Sequence, residues 1–242
     1  MPNANAKCFT LAMRKAYHDK KEVLLENDIL PKMSNPFDIF HEWFEAAKAS
    51  EKSYTEVNAV CLATATKEGK PSSRMVLLKS YDPVNGFTIF TNYESRKGSE
   101  IDENPNVALL FFWDFLSRQI RVEGKAKRVP ASESDEYFGQ RPRASQVSAR
   151  ISAQSQPVDS RDTLLKRQKE EADRWAAEEH IPRPDFWGGF HIIPERFEFW
   201  QGQSDRLHDR LVFTRSPPPV NGQQEVNGGD KEKEWSVQRL QP

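Results

Sequence analysis

Residues 58–92 read NAVCLATATKEGKPSSRMVLLKSYDPVNGFTIFTN. Three runs rich in β-branched, aliphatic and aromatic residues, NAVCLATAT, SSRMVLLKSY and GFTIFTN, are separated by KEGKP and DPVNG, where Gly and Pro supply turn conformations. That spacing predicts an antiparallel meander. Downstream, NVALLFFWDF and RQIRVEGKAKRV predict two further strands joined by a turn at Leu116 and Ser117, and five hairpin-linked strands suggest a barrel or sandwich. Strand character resumes at WGGFHIIP, RFEFWQG, DRLVFTR and EWSVQRL.

Helical periodicity flanks these strands. In NPFDIFHEWFEAAKAS, Asn35 suits an N-cap and Pro36 a first helical position, and Phe37, Phe40, Trp43, Phe44 and Ala47 fall on one face. A short charged helix is expected near Ser95 to Glu103, and another opens at Ser132, Glu133 and Asp135. A long, mostly exposed helix is expected from Asp159 to Glu179, where Leu164, Leu165, Gln168 and Trp175 are scattered. Residues 1–30 read as a partly mobile arm that docks late. The run SPPPVNGQQEVNGGDKEKE, residues 216–234, is low in apolar residues and expected to be disordered. Residues 31–242 thus read as one mainly β domain with helical decorations (α+β), without internal repeats.

Composition excludes several classes. With 242 residues, 37% hydrophobic and 11% aromatic, the chain can bury a core, and its net charge of -1 gives no field to hold a nucleic acid. Cys8 and Cys61 make no disulfide framework, and neither an 18-residue apolar run nor a secretory leader is present, so the expectation is a cytoplasmic protein with no membrane partner. His18, His41, His180, His191 and His208 are not paired at ligand spacing, so no metal is expected. No GxGxxG and no GxxxxGK[ST] occurs; any phosphate must be held by side chains and helix ends.

Candidate side chains lie in four places. On the strand SRMVLLK, Arg74, Val76 and Leu78 share one face and Lys79 lies on the other. Ser95, Arg96, Lys97 and Gly98 stand at a helix start, where free amides and cations suit a phosphate. Tyr137, Arg141 and Ser145, spaced four apart, share a helical face if the helix runs through Pro142. Trp200, Arg206, His208 and Arg210 gather an aromatic plane, two guanidiniums and an imidazole that can exchange protons near neutral pH.

The run FEFWQGQSDRLHDR resembles the C-terminal signature of pyridoxine 5'-phosphate oxidases. MRKAY, RMVLLK, FTNYESRKG, RQIRVEG, YFGQRPRASQ and AQSQP are similar to that family's other blocks in the same order, from about Met13 to Leu240. The resemblance implies an antiparallel split β-barrel of the FMN-binding type and a homodimer with FMN at the subunit interface. By position it implies FMN contacts at Arg74, Met75, Val76, Leu77, Phe90, Thr91, Arg96, Lys97, Gln119, Gln154, Ser155, Trp200 and Arg210. It assigns the substrate phosphate to Lys79, Tyr137, Arg141 and Ser145. The pyridine ring and its reacting carbon fall to Arg206, Leu207 and His208, with Arg206 and His208 as the catalytic pair, and Arg14 and Tyr17 belong to a segment that covers the site. The implied reaction oxidises pyridoxine or pyridoxamine 5'-phosphate at C4', with hydride to the flavin and then O2 reduced to H2O2. Two other readings stay open: a carrier or sensor of FMN or pyridoxal phosphate, and a flavin or haem-group reductase. Ser148, Ala149 and Arg150, Ala16, and the insertion after Pro217 depart from the family pattern.

Overall fold

The structure, a computed structural model, describes residues 35–50, 56–216 and 234–242. Arg14, Tyr17, the arm and the interior of the 216–234 insertion lie outside the described residues. The strands are β1 (Ala59–Ala65), β2 (Pro71–Leu77), β3 (Ser80–Asp82), β4 (Gly86–Asn92), β5 (Asn106–Trp113), β6 (Arg118–Arg128), β7 (Trp187–Gln201), β8 (Asp209–Arg215) and β9 (Trp235–Arg239). Helices α1 (Pro36–Lys48), α2 (Arg96–Glu103), α3 (Ala131–Gln140), α4 (Arg143–Ile151) and α5 (Arg161–Arg174) surround them.

All nine strands form one antiparallel sheet in the order β2-β1-β5-β6-β7-β4-β3, with β8 on β7 and β9 on β8. This is not the sequential meander expected, because β1 pairs with β5 and β4 with β7. The sheet forks at β7. One edge of that strand runs along β6, while its other edge pairs with β4 over Trp187–Ile192 and with β8 over Arg196–Gln201. WGGFHIIP and RFEFWQG, expected as two strands, are thus one strand of 15 residues. Pro194, which has no N–H to donate, sits between the two pairings, opposite Gly124 where the β6 register shifts.

A side chain cannot fit at that shift, since a Cβ on Gly124 would lie 2.1 Å from the Ile193 carbonyl oxygen. Gly124→Ala is therefore expected to cost about 1 to 3 kcal/mol through backbone displacement. The urea midpoint should fall with an unchanged slope; an unaltered midpoint would refute the tight fork.

The run SSRMVLLKSY, expected as a single strand, divides. Leu78 N donates to Asn58 O at 2.8 Å and Lys79 N to Thr88 O at 2.9 Å, so the chain leaves the β1 ladder and joins the β4 ladder within two residues. Helix α1 begins as expected, with the Asn35 side chain accepting from Phe37 N at 3.0 Å. Its face closes the core: Phe40 meets Phe87 at 4.9 Å and Phe111 at 5.1 Å edge-on, and Trp43 meets Phe199 at 5.5 Å. Helix α5 is shorter than expected and buries none of its residues, as its charged sequence dictates. Among the described residues, no helix is long and apolar enough to cross a membrane, and no cluster of metal-ligating side chains occurs.

Candidate active site

A cavity of about 720 Å³ opens between β2, β4 and the α3–α4 elbow. Of the expected residues it is lined by Met75, Val76, Leu77, Lys79, Phe90, Thr91, Lys97, Tyr137, Arg141, Ser145 and Gln154. Among the described residues three cations, Lys79, Lys97 and Arg141, face it, and no carboxylate does. A neighbouring cavity of about 520 Å³ shares Arg141 but is also lined by Asp135 and Glu179, so its charge is mixed.

Tyr137, Arg141 and Ser145 come together by a different route from the one expected. Helix α3 stops at Gln140, and Arg141 is extended (φ -71, ψ 147) because a residue before proline is pushed out of the helical region. Pro142 then caps a new helix that carries Ser145. Gln146 Nε2 bridges the break by donating to Phe138 O at 2.8 Å. The elbow aims Arg141 at the face of Trp187, 4.6 Å from its centroid, and buries Nη1 without a hydrogen-bond partner among the described residues. Tyr137 stacks on Phe90 at 4.0 Å, and Lys79 Nζ stands 5.9 Å from the Tyr137 ring centre. Trp187 is not singled out by the sequence; the β4–β7 pairing sets it opposite Asn92, from where its ring stacks on Phe90 at 5.6 Å.

Lys97 forms the second cationic point. In the first turn of α2, Nζ donates to Gln154 Oε1 at 2.7 Å and to Thr91 Oγ1 and Ser95 Oγ at 3.1 Å each. Burial, assisted by the charge of Arg74, brings its pKa down to about 8. Beside it, Arg96 N donates to Ser155 Oγ at 3.2 Å, and Ser155 adopts a left-handed backbone (φ 73). Arg74 and Arg96 are held on the two oxygens of Glu100, at 3.4 and 2.8 Å. Burial raises the Glu100 pKa, but donation by Thr64 and Arg96 and the charges of both arginines outweigh it and keep it below the ordinary value. Sequence reading passed over Glu100, although its position four residues after Arg96 was a usable signal.

Gln119, Trp200, Arg206, Leu207, His208 and Arg210 do not line this cavity. Gln119, Trp200 and Arg210 form a cross-strand row over β6, β7 and β8. His208 lies 4.9 Å from the Trp200 ring and accepts from Gln203 N at 3.0 Å, and Arg206 is exposed with φ 70. Leu207 and His208 line a separate recess with the C-terminal residues Leu240 to Pro242. Trp200 stands thirteen positions along β7 from Trp187, up to roughly 40 Å at about 3.3 Å per residue.

A forked antiparallel sheet with a cation-lined cavity beside the fork defines the split-barrel class. Residues 46–176 match the family model for pyridoxamine 5'-phosphate oxidase, and residues 187–242 match that for the pyridoxine 5'-phosphate oxidase C-terminal dimerisation region. The chain belongs to the pyridoxine/pyridoxamine 5'-phosphate oxidase family. It is 46% identical to the Bordetella pertussis pyridoxine/pyridoxamine 5'-phosphate oxidase, over 95% of this chain and 98% of that one. It is 47% identical to the chloroplastic pyridoxine/pyridoxamine 5'-phosphate oxidase 1 of Arabidopsis thaliana over 86% of this chain, but spans only 37% of that longer protein. Among solved structures, PhzG from Burkholderia lata 383, in complex with tetrahydrophenazine-1-carboxylic acid, superposes with a TM-score of 0.76 at 29% identity. That match covers 90% of this chain and 96% of the other.

Proposed function

We propose that the protein oxidises pyridoxine 5'-phosphate or pyridoxamine 5'-phosphate to pyridoxal 5'-phosphate with FMN as cofactor and O2 as final acceptor. The observation that carries this reading is the cavity to which the described residues bring three cations, no carboxylate and a buried Arg141 Nη1 with no partner among them. A buried unpaired guanidinium N–H is costly unless a ligand accepts from it. The cations form two groups, Lys97 at the start of α2 with Thr91 of β4 and Gln154, and Arg141 at the elbow with Lys79 and Tyr137. Two groups suit two phosphates, one on the cofactor and one on the substrate, which a carrier of FMN alone has no need for.

In this reading Arg74, Arg96, Lys97, Gln154 and Ser155 hold the FMN phosphate, and Met75, Val76, Leu77, Phe90 and Thr91 flank the rest of the cofactor. FMN, when bound, would supply a two-electron acceptor that O2 can reoxidise, with H2O2 as the product. The protein's share is approach geometry: Lys79, Tyr137, Arg141 and Ser145 fix the substrate phosphate, which sets the ring against the flavin. Arg206 orients the pyridine ring, and His208 handles polar contact or protons beside the reacting carbon.

The second half of the site, Gln119, Trp200, Arg206, Leu207, His208 and Arg210, comes in this reading from a second copy of the chain. Separation along β7 supports it, as do the match of residues 187–242 to a dimerisation region and the exposure of Met75 (62%) and Phe112 (58%) on the sheet's outer face. An absorbance spectrum followed by pyridoxine 5'-phosphate under air tests the whole proposal. Flavin bands, pyridoxal phosphate and peroxide are expected; flavin without turnover would leave only a carrier, and no uptake of FMN would remove both.

Lys97 gives this reading a pH signature. Its pKa of about 8 must rise when an anion binds beside it, so FMN binding takes up a proton once the pH exceeds about 8. The FMN dissociation constant should be flat below that pH and rise by up to about tenfold per unit above it. Lys97→Met should bind more weakly and lose the slope. An equal slope in that variant would assign the titration elsewhere.

A further inference from the structure

The outer face of β6, β7 and β8 carries a carboxylate with no role in the site described so far. Arg121 faces Glu198 across β6 and β7, one step along the same face from the Gln119–Trp200–Arg210 row. Glu198 is buried, its side chain 4% exposed, on the face opposite Phe197 and Phe199. Its oxygens are divided. Oε1 accepts from Arg210 Nε at 3.0 Å and Nη2 at 2.7 Å, while Oε2 accepts from Arg121 Nη2 at 2.7 Å and Arg196 Nη2 at 3.2 Å.

The third nitrogen of Arg210, Nη1, donates to Gln241 O at 3.0 Å. A guanidinium has five N–H groups, so these contacts commit three and leave one on each terminal nitrogen. Arg121 and Arg196 also reach Glu123, at 3.0 and 2.8 Å, whereas the partners of Arg210 are Glu198 and the Gln241 carbonyl. Burial raises the Glu198 pKa, but the hydrogen bond from Arg210 and the charges of Arg121, Arg210 and Arg196 outweigh it, so the group stays ionised at neutral pH.

We infer that Glu198 is a positioning residue for cofactor binding, fixing the Arg210 fork beside Trp200 so that the N–H groups it leaves uncommitted among the described residues would be free to donate to a bound FMN. The inference rests on the reading of Arg210 as a cofactor contact. A free arginine samples many rotamers and must be ordered when ligand binds; a carboxylate oxygen that accepts from two of its N–H groups orders it beforehand. A buried carboxylate that served only to tie strands would affect stability and leave cofactor affinity alone.

The test is an FMN titration of cofactor-stripped protein, read by quenching of flavin fluorescence, beside thermal midpoints. Glu198→Gln and Arg210→Gln are each expected to raise the FMN dissociation constant by about tenfold or more, and the double variant by little beyond either one, since both remove the same contact. Additive effects, or a lowered midpoint with unchanged affinity in Glu198→Gln, overturn the inference while the role of Arg210 stands. Unchanged affinity in Arg210→Gln overturns that role and the inference together. Should Glu198→Gln not fold, Glu198→Asp keeps the charge and shortens its reach by one methylene. Intermediate affinity is then expected, and wild-type affinity overturns the inference.

Discussion

Arg141→Ala is expected to raise KM for pyridoxine 5'-phosphate by about 30-fold or more, because removing one partner of a buried charge pair typically costs about 2 to 5 kcal/mol. The expectation rests on geometry. Arg141 is stacked on Trp187, and among the described residues its buried Nη1 has no partner and no carboxylate lines the cavity it shares with Lys79. The substrate's phosphate is bound in both ground and transition states, so kcat should change much less than KM. FMN affinity should be unaffected, because Lys97, Gln154 and Ser155 form a different cluster. Steady-state kinetics with a parallel FMN titration separate the cases; loss of flavin in Arg141→Ala would assign that guanidinium to the cofactor phosphate. Arg141→Lys should recover only part of the loss, since an ammonium reproduces neither the planar fork nor the stacking.

Arg206→Gln is expected to lower kcat/KM by about 5- to 150-fold, the roughly 1 to 3 kcal/mol of a lost charged hydrogen bond in the transition state. Arg206 sits at φ 70 in an exposed turn, a conformation that costs a non-glycine residue about 1 kcal/mol or more. Gln keeps that strain, so the comparison isolates the guanidinium. Arg206→Gly removes both, and its stability should rise while its activity falls. An Arg206→Gln enzyme with unchanged kcat/KM would strip the residue of its proposed role.

Much was legible before any coordinates. Asn35, Pro36 and the aromatic spacing from Phe37 to Ala47 specify α1, because capping and periodicity act within a few residues of one another. Ser95 before Arg96 and Lys97 similarly marks the start of α2. Less came through where distant segments decide. The break at Leu78 and Lys79 depends on Asn58, just before β1, and Thr88 of β4 offering their carbonyls from separate segments. The continuity of β7 across Pro194 depends on Gly124 making room on β6.

By itself the sequence determined the strand and helix inventory in outline, the signature blocks of the oxidase family, and the residue types able to hold two phosphates. Those properties reside in near neighbours, in the period of hydrophobic residues and in the chemistry of single side chains. The tertiary structure alone decided the sheet order and its fork, the kink at Arg141 that replaces a continuous helix face, and the arrival of Trp187 beside it. It also showed Glu100 and Glu198 dividing their oxygens among arginines, and set Trp200 and Arg210 apart from the cavity. These follow from pairing between segments far apart in the chain, where burial and hydrogen-bond satisfaction over the whole sheet select one arrangement among many that local propensity allows.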